Sequence, residues 1–180
     1  MKEDQLTIEL PFEFVLYNGY SKHALKNYKG ETMPSIGITN RYMCKIHKRI
    51  EYMIFLDIDK KVKLKQLIKF VKKRRAMITR TKYGYHIIIV THEKSQYRNE
   101  IDTTRLALKM INKKIPVDVG HILTCMNNNR FILRIYGKYK DNPYVKIVYK
   151  KDDPILNDIA KLYEVTKCQE KSLLLFQKNL

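Results

Sequence analysis

Two carboxylates close the most hydrophobic stretch of the chain. Tyr52 to Ile58 is a continuous apolar run rich in β-formers, and Asp57 and Asp59 stand at its end. Strand side chains alternate, so positions 57 and 59 share one face and Ile58 takes the other. Two like charges side by side repel, and partial burial raises the cost further. A divalent cation resolves both problems. Oxygen ligands suit Mg²⁺ or Mn²⁺, and two such ions about 4 Å apart could activate an attacking hydroxyl and neutralise a leaving pyrophosphate. The plain alternative is that Asp59 caps a helix starting near Lys61 while Asp57 faces solvent.

A histidine follows in a second polar setting. Thr79-Arg80-Thr81-Lys82-Tyr83-Gly84-Tyr85-His86 joins two strands, and His86 opens the run Ile87-Ile88-Ile89-Val90. Gly84 allows a tight backbone approach at the turn. An imidazole entering so apolar a run needs a hydrogen-bond partner. A nucleotide phosphate would serve, with the Thr81 hydroxyl and the Lys82 charge nearby. A backbone group at a strand edge would serve equally.

The combination resembles the archaeo-eukaryotic primase (primase-polymerase) superfamily over roughly residues 34–140. That family's first motif is an apolar strand ending in Asp-x-Asp, matched by Ile54-Phe55-Leu56-Asp57-Ile58-Asp59. Its second is a Ser- or Gly-containing turn leading to His, matched by Thr81 to His86, although Lys82 and Tyr83 stand where the family often has small residues. Its third is an apolar residue followed by Asp, which Val117-Asp118 supplies, with Asp102 and Asp141 as competitors. Arg130-Phe131-Ile132-Leu133-Arg134-Ile135-Tyr136-Gly137-Lys138 is similar to the basic stretch that follows. The resemblance implies an RRM-like sheet of primase catalytic-core type. It also implies nucleotidyl transfer from NTPs or dNTPs on a single-stranded DNA or RNA template, in primer synthesis or extension. Asp57, Asp59 and Asp118 would hold two Mg²⁺ or Mn²⁺ ions. Thr81, Lys82, His86, Arg134 and Lys138 would hold the triphosphate. A helicase or a larger primase subunit is the kind of protein partner it implies.

The elements that must position these residues alternate in type. Phe12–Tyr17, Pro34–Thr39, Tyr52–Ile58, Ala76–Arg80, Tyr85–Thr91, Ile122–Cys125, Phe131–Tyr136 and Tyr144–Tyr149 are expected as strands, with residues 18–33 as loop and short helix. Val62, Leu64, Leu67, Ile68 and Val71 recur at helical spacing with lysines on the other face. Residues 98–113 form a second expected helix, and two more are expected near 155–164 and 168–177, the first capped by Asp152 or Asp153. The order predicts an α+β fold of two layers, with helices covering a mixed, largely antiparallel sheet. Residues 1–150 are expected to be the catalytic domain, and 151–180 a helical tail packed on it or extending it.

Charge and cysteines narrow the partners. The chain has 36 Lys and Arg against 18 Asp and Glu, a formal net charge of +18. Such an excess favours a polyanion, and nucleic acid fits best because neutralised phosphates release counterions. A membrane surface and a merely Lys-rich composition are the rivals. Tyr42, Tyr83 and Tyr85 lie near the motifs and are the better candidates for stacking on bases. No signal-type segment or bilayer-length apolar run is visible, and Cys44, Cys125 and Cys168 are sparse, so a soluble, intracellular (cytoplasmic) protein is expected. Cys44 and His47 have ligand spacing that His121 and Cys125 could complete as Cys₂His₂, but each pair is half a motif, and zinc is not expected. His23 and His92 read as ordinary residues. Two other functions remain open: a non-catalytic primase accessory subunit, and an RRM-like nucleic-acid-binding domain. The latter should carry stacking aromatics where this chain has Asp and aliphatic residues.

Overall fold

The computed structural model describes residues 11–17, 29–60 and 62–177, with side chains as far as residue 166. The expected loop and short helix at 18–33 fall largely outside the described residues, as does His23. In chain order the elements are β1 (Phe12–Tyr17), β2 (Thr32–Cys44), β3 (Arg49–Ile58), α1 (Leu64–Val71), β4 (Ala76–Arg80), β5 (Tyr85–Glu93), α2 (Gln96–Asn112), α3 (Val119–Asn127), β6 (Ile132–Tyr139), β7 (Lys146–Lys150) and α4 (Pro154–Gln177). The fold is mixed α+β, with helices on an open antiparallel sheet of seven strands among the described residues. The strand order is β1-β2-β3-β5-β4-β7, and β6 pairs with β2.

A fork in this sheet shapes the molecule. β2 pairs with β6 from Thr32 to Thr39, then with β3 from Arg41 to Cys44, while β1 holds its opposite edge. Asn40 is the residue at the switch. Its N–H donates to Phe131 O at 2.9 Å. Its side-chain amide donates to Asn99 Oδ1 at 3.0 Å, and Asn99 donates to Met53 O at 3.1 Å. This buried amide pair ties α2 to the fork and satisfies polar groups that would otherwise be costly there. Beyond it, β3 and β6 part. β5 covers one edge of β3, and the other edge faces a cleft.

The core runs through the middle strands. Phe55, Leu56, Ile58, Met77, Ile78, Ile87 and Ile88 are fully buried, so both faces of β3 and β5 are covered. Such strands read as continuous apolar runs, which is why they were legible. α1 packs Leu67 and Val71 inward, and α4 packs Leu156, Ile159, Leu162 and Tyr163. Among the described residues no helix is long and apolar enough to cross a membrane.

Several elements depart from expectation, β6 running on to Tyr139 and β7 starting only at Lys146. β2 runs past Thr39 to Cys44, and β3 begins three residues early at Arg49, because the two pair across the 45–48 turn. Ile122–Cys125 is not a strand but part of α3. Asp118 accepts from His121 N–H at 3.0 Å as its cap, and Ile122 and Cys125 fall three apart on one buried face. Four apolar residues fit either period. The two closing helices are one, since no Gly or Pro interrupts 155–177. Asp153, not Asp152, caps it, accepting from the N–H groups of Ile155 and Leu156 at 3.0 and 3.2 Å. Asp59 does not cap α1, which starts at Leu64 with no side-chain cap.

Candidate functional site

Three carboxylates meet at the mouth of the cleft. Asp57 stands in the last turn of the pleat of β3, directly opposite His86 of β5. Asp59 follows just beyond the strand. Asp118 reaches the same point from α3, because its N–H donates to Asp57 O at 2.8 Å and fastens the start of the helix to the open edge of β3. One oxygen from each carboxylate lies within 4.8 Å of the other two. Asp102 pairs instead with Arg105 on α2, and Asp141 with Lys82, so neither competitor joins the set.

Gly84 lets the β4–β5 turn approach this point. A Cβ there would lie 1.6 Å from Ile58 O. Thr81 closes the turn, its N–H donating to Gly84 O and its hydroxyl accepting from Gly84 N–H, each at 3.0 Å.

β6 forms the opposite wall. Gly137 has φ +89°, and a Cβ on it would lie 2.1 Å from Pro34 O. Lys138 follows at φ +74°, a left-handed conformation that costs a residue with a side chain about 1 kcal/mol or more. Arg134 donates to Gly137 O at 2.8 Å, so the irregular backbone also fixes the guanidinium. The pocket between the walls has a volume of about 230 Å³, lined by the side chains of Asp57, Asp59, His86, His121, Arg134 and Lys138 together with Thr81, Tyr83 and Tyr139.

The charges in this pocket are in tension. Burial and the neighbouring Asp118 push the Asp57 carboxyl up to about 6, against the pull of Arg134 and Lys138. Burial, Asp57 and a hydrogen bond with Asp118 push Asp59 up to about 6. On the other wall, burial and then the Arg134 guanidinium push the Lys138 ammonium down, although three carboxylates favour its charge. Burial and Arg134 hold His86 well below the usual imidazole range, so it is neutral at pH 7. Its Nε2 lies 3.8 Å from Asp57 Oδ1, too far for a hydrogen bond, and its buried Nδ1 has no partner. Among the described residues no backbone group serves the Nδ1 of this histidine. The donor set fits a hard divalent cation: oxygen ligands only, crowded carboxylates that resist ionising together, and cations beside them.

Of the expected site residues, Asp57, Asp59, Asp118, Thr81, His86, Arg134 and Lys138 come together. Lys82 stands apart. Its ammonium bonds to Asp141 at 2.5 Å and lies over the rings of Tyr83 and Tyr139. Among the three tyrosines only Tyr83 lines the pocket. Tyr85 is buried against Arg80, and Tyr42 is buried at the far end of β3. His121 and Tyr139 are additions. Burial opposes charge on His121, but Cys125, Asp118 and Asp59 raise it above the usual range. The signal for it was its place three residues after a capping Asp, which a strand assignment hides. The Cys₂His₂ set does not assemble, since Cys125 Sγ is 3.5 Å from His121 Nε2 while Cys44 pairs with His47 elsewhere. No family model, curated protein or solved structure matches the chain.

Proposed function

We propose that this cleft binds the triphosphate of an NTP or dNTP and carries out template-dependent nucleotidyl transfer on single-stranded nucleic acid, as in the primase-polymerase superfamily. One observation carries the proposal: Asp57 and Asp59, clustered with Asp118, face Arg134, Lys138 and a neutral His86 across a single pocket. Carboxylates alone would hold a cation, and basic residues alone would hold an anion. Together they fit an anion that arrives with its own cations, which is what a nucleoside triphosphate is. A volume of about 230 Å³ falls below that of pockets enclosing a whole ligand, so the phosphates enter and the base stays outside near Tyr83.

Asp57, Asp59 and Asp118 would hold Mg²⁺ or Mn²⁺, which lowers the pKa of an attacking hydroxyl and neutralises charge on the leaving pyrophosphate. The remaining work belongs to the chain. Arg134, fixed by Gly137 O, offers a planar fork to phosphate oxygens, and Lys138 adds a point charge. His86, kept neutral by burial, presents Nε2 as a hydrogen-bond donor without adding repulsion to these two cations. Thr81 supplies a hydroxyl at the turn. Catalysis would come from positioning and charge neutralisation, the terms that dominate phosphoryl chemistry. The net charge of +18 suits a polyanionic template.

The test is incorporation of labelled NTPs or dNTPs on single-stranded DNA and RNA templates with Mg²⁺ or Mn²⁺. Metal-dependent products that vanish in Asp57→Ala and Asp59→Ala support the enzyme. Products that persist in both variants overturn the assignment. Tight, salt-sensitive template binding without synthesis would move the protein to the accessory or RRM-like class.

A further inference from the structure

A second set of ligand side chains converges at the other end of the β3–β5 pair. Cys44 ends β2, His47 lies in the 45–48 turn, Glu51 is in β3 and His92 is in β5. One ligand atom from each lies within 4.8 Å of the other three. Asp57 is six residues further along β3, about 20 Å at the rise of a strand, so the two clusters are separate.

The arrangement is a pocket of mixed donors. The Glu51 side chain is fully buried and Cys44 nearly so, while His47 and His92 close over them from the surface. Both imidazoles turn the same nitrogen inward: His47 Nδ1 is 2.6 Å from Glu51 Oε1, and His92 Nδ1 is 2.9 Å from Oε2. Cys44 Sγ is 3.5 Å from His47 Nδ1. The two rings meet edge to face at 5.0 Å. A proton count adds a second observation. The Tyr42 hydroxyl lies 2.8 Å from Glu51 Oε2 and 2.7 Å from Thr91 O, two acceptors for its single proton. A cation at Glu51 would release that proton wholly to Thr91.

We propose that Cys44, His47, Glu51 and His92 bind one zinc ion, as a closed structural site that ties the β2–β3 turn to the end of β5. Thiolate, two imidazoles and a carboxylate are zinc ligands, and four protein ligands leave no open position for chemistry. Thiolate and carboxylate together balance the ion's two positive charges, and Arg49, which donates to Glu51 Oε1 at 3.1 Å from a part-exposed position, turns out to solvent as the ion enters. Bond lengths of about 2.0–2.3 Å place tetrahedral ligand atoms roughly 3.3–3.8 Å apart, so no pair need close by more than about 1.5 Å, and the His47–Glu51 pair opens slightly from 2.6 Å. His47 can make that movement, since it sits on an exposed turn beside Lys48 at φ +50°. On binding, Cys44 loses its thiol proton to solvent, and the proton of each neutral imidazole resides on Nε2. Arg75, which contacts His92 Nε2, then keeps its bond to Asp153 alone. Cys44 and His47 are half a motif in the sequence; strand pairing, not spacing, supplies the other half.

Cobalt(II) titrated into the chelator-treated full chain tests this, alongside zinc content measured by mass spectrometry. One equivalent of zinc in the purified protein is expected. Cobalt should give intense tetrahedral d–d bands with a thiolate charge-transfer band. Cys44→Ser should abolish the charge-transfer band. His47→Gln, at an exposed turn that leaves the fold intact, should weaken cobalt affinity about ten-fold or more. Asp57→Asn should leave the spectrum unchanged, which separates this site from the carboxylate cluster. A weak octahedral spectrum lost in Asp57→Asn, a charge-transfer band surviving Cys44→Ser, or unchanged affinity in His47→Gln would overturn the proposal.

Discussion

The two ends of the β3–β5 pair each set a carboxylate beside a histidine, and they differ in almost everything else. At one end Glu51 is ringed by donors. Burial would raise its pKa, but hydrogen bonds from His92, Tyr42 and His47 hold it down at about 2. At the other end Asp57 faces carboxylates, and burial with Asp118 lifts it to about 6. His92 reaches its carboxylate at 2.9 Å, whereas His86 stops 3.8 Å short. One end is satisfied by the protein's own nitrogens and sulfur. The other keeps three acids, two cations and an idle imidazole in tension. The contrast separates a closed cluster, whose own donors already compensate its carboxylate and where the proposed zinc would be structural, from an open cluster whose carboxylates are left uncompensated.

The largest expected effect breaks the second end chemically. Asp57→Ala or Asp59→Ala should lower nucleotide incorporation by about 10³-fold or more, read as initial rates at saturating Mn²⁺. Next comes the turn that lets the strands close on that end. Gly84→Ala would drive a Cβ to 1.6 Å from Ile58 O, and should cost about 3 kcal/mol or more in chemical denaturation.

A matched pair of substitutions then sharpens the comparison. Glu51→Gln removes the acceptor that its donors surround, and should lower stability of the metal-free protein by about 2–3 kcal/mol at pH 7. Asp57→Asn makes the same chemical change and should raise stability by about 2 kcal/mol in the metal-free protein, allowing for partial exposure. The sign follows from linkage. Asp57 in the fold holds its proton up to about pH 6, against 3.8 for the free group. Its favourable contribution is therefore present below 3.8 and lost as pH rises through 6. The gain from Asp57→Asn should accordingly be near zero at pH 4 and full above pH 7, followed by thermal unfolding across that range. Equal signs at the two ends would dissolve the distinction. The smallest effect is at Lys138. Glycine accepts φ +74° without strain. Lys138→Gly should therefore leave the melting temperature unchanged or slightly raised, while weakening metal–triphosphate binding by about ten-fold in calorimetry.

Much of this is legible in the sequence. β3 and β5 carry apolar runs that read as buried strands, and the Asp-x-Asp and His86 stand at their ends. The Asp57–His86 register needed the pairing itself. Asp118 was legible as one of three choices, and only its N–H bond to Asp57 O decides among them. The fork at Asn40 was hidden, because a single polar residue inside a long strand carries no periodic signal. α3 is hidden because Ile-Leu-Thr-Cys fits two periods, so His121 reads as half of a Cys₂His₂ set rather than as a neighbour of the carboxylates. The Cys44–His92 cluster was out of reach for the same reason as the fork: its members meet through long-range pairing.

The central claim is that Asp57 works in catalysis rather than in holding the fold. Template-dependent incorporation of labelled nucleotide with Mn²⁺, measured side by side for the wild-type chain and Asp57→Asn, tests it most directly. The account predicts products from the wild type and about 10³-fold less from a variant that is the more stable of the two. Equal synthesis by both proteins, or none by the wild type, would contradict it.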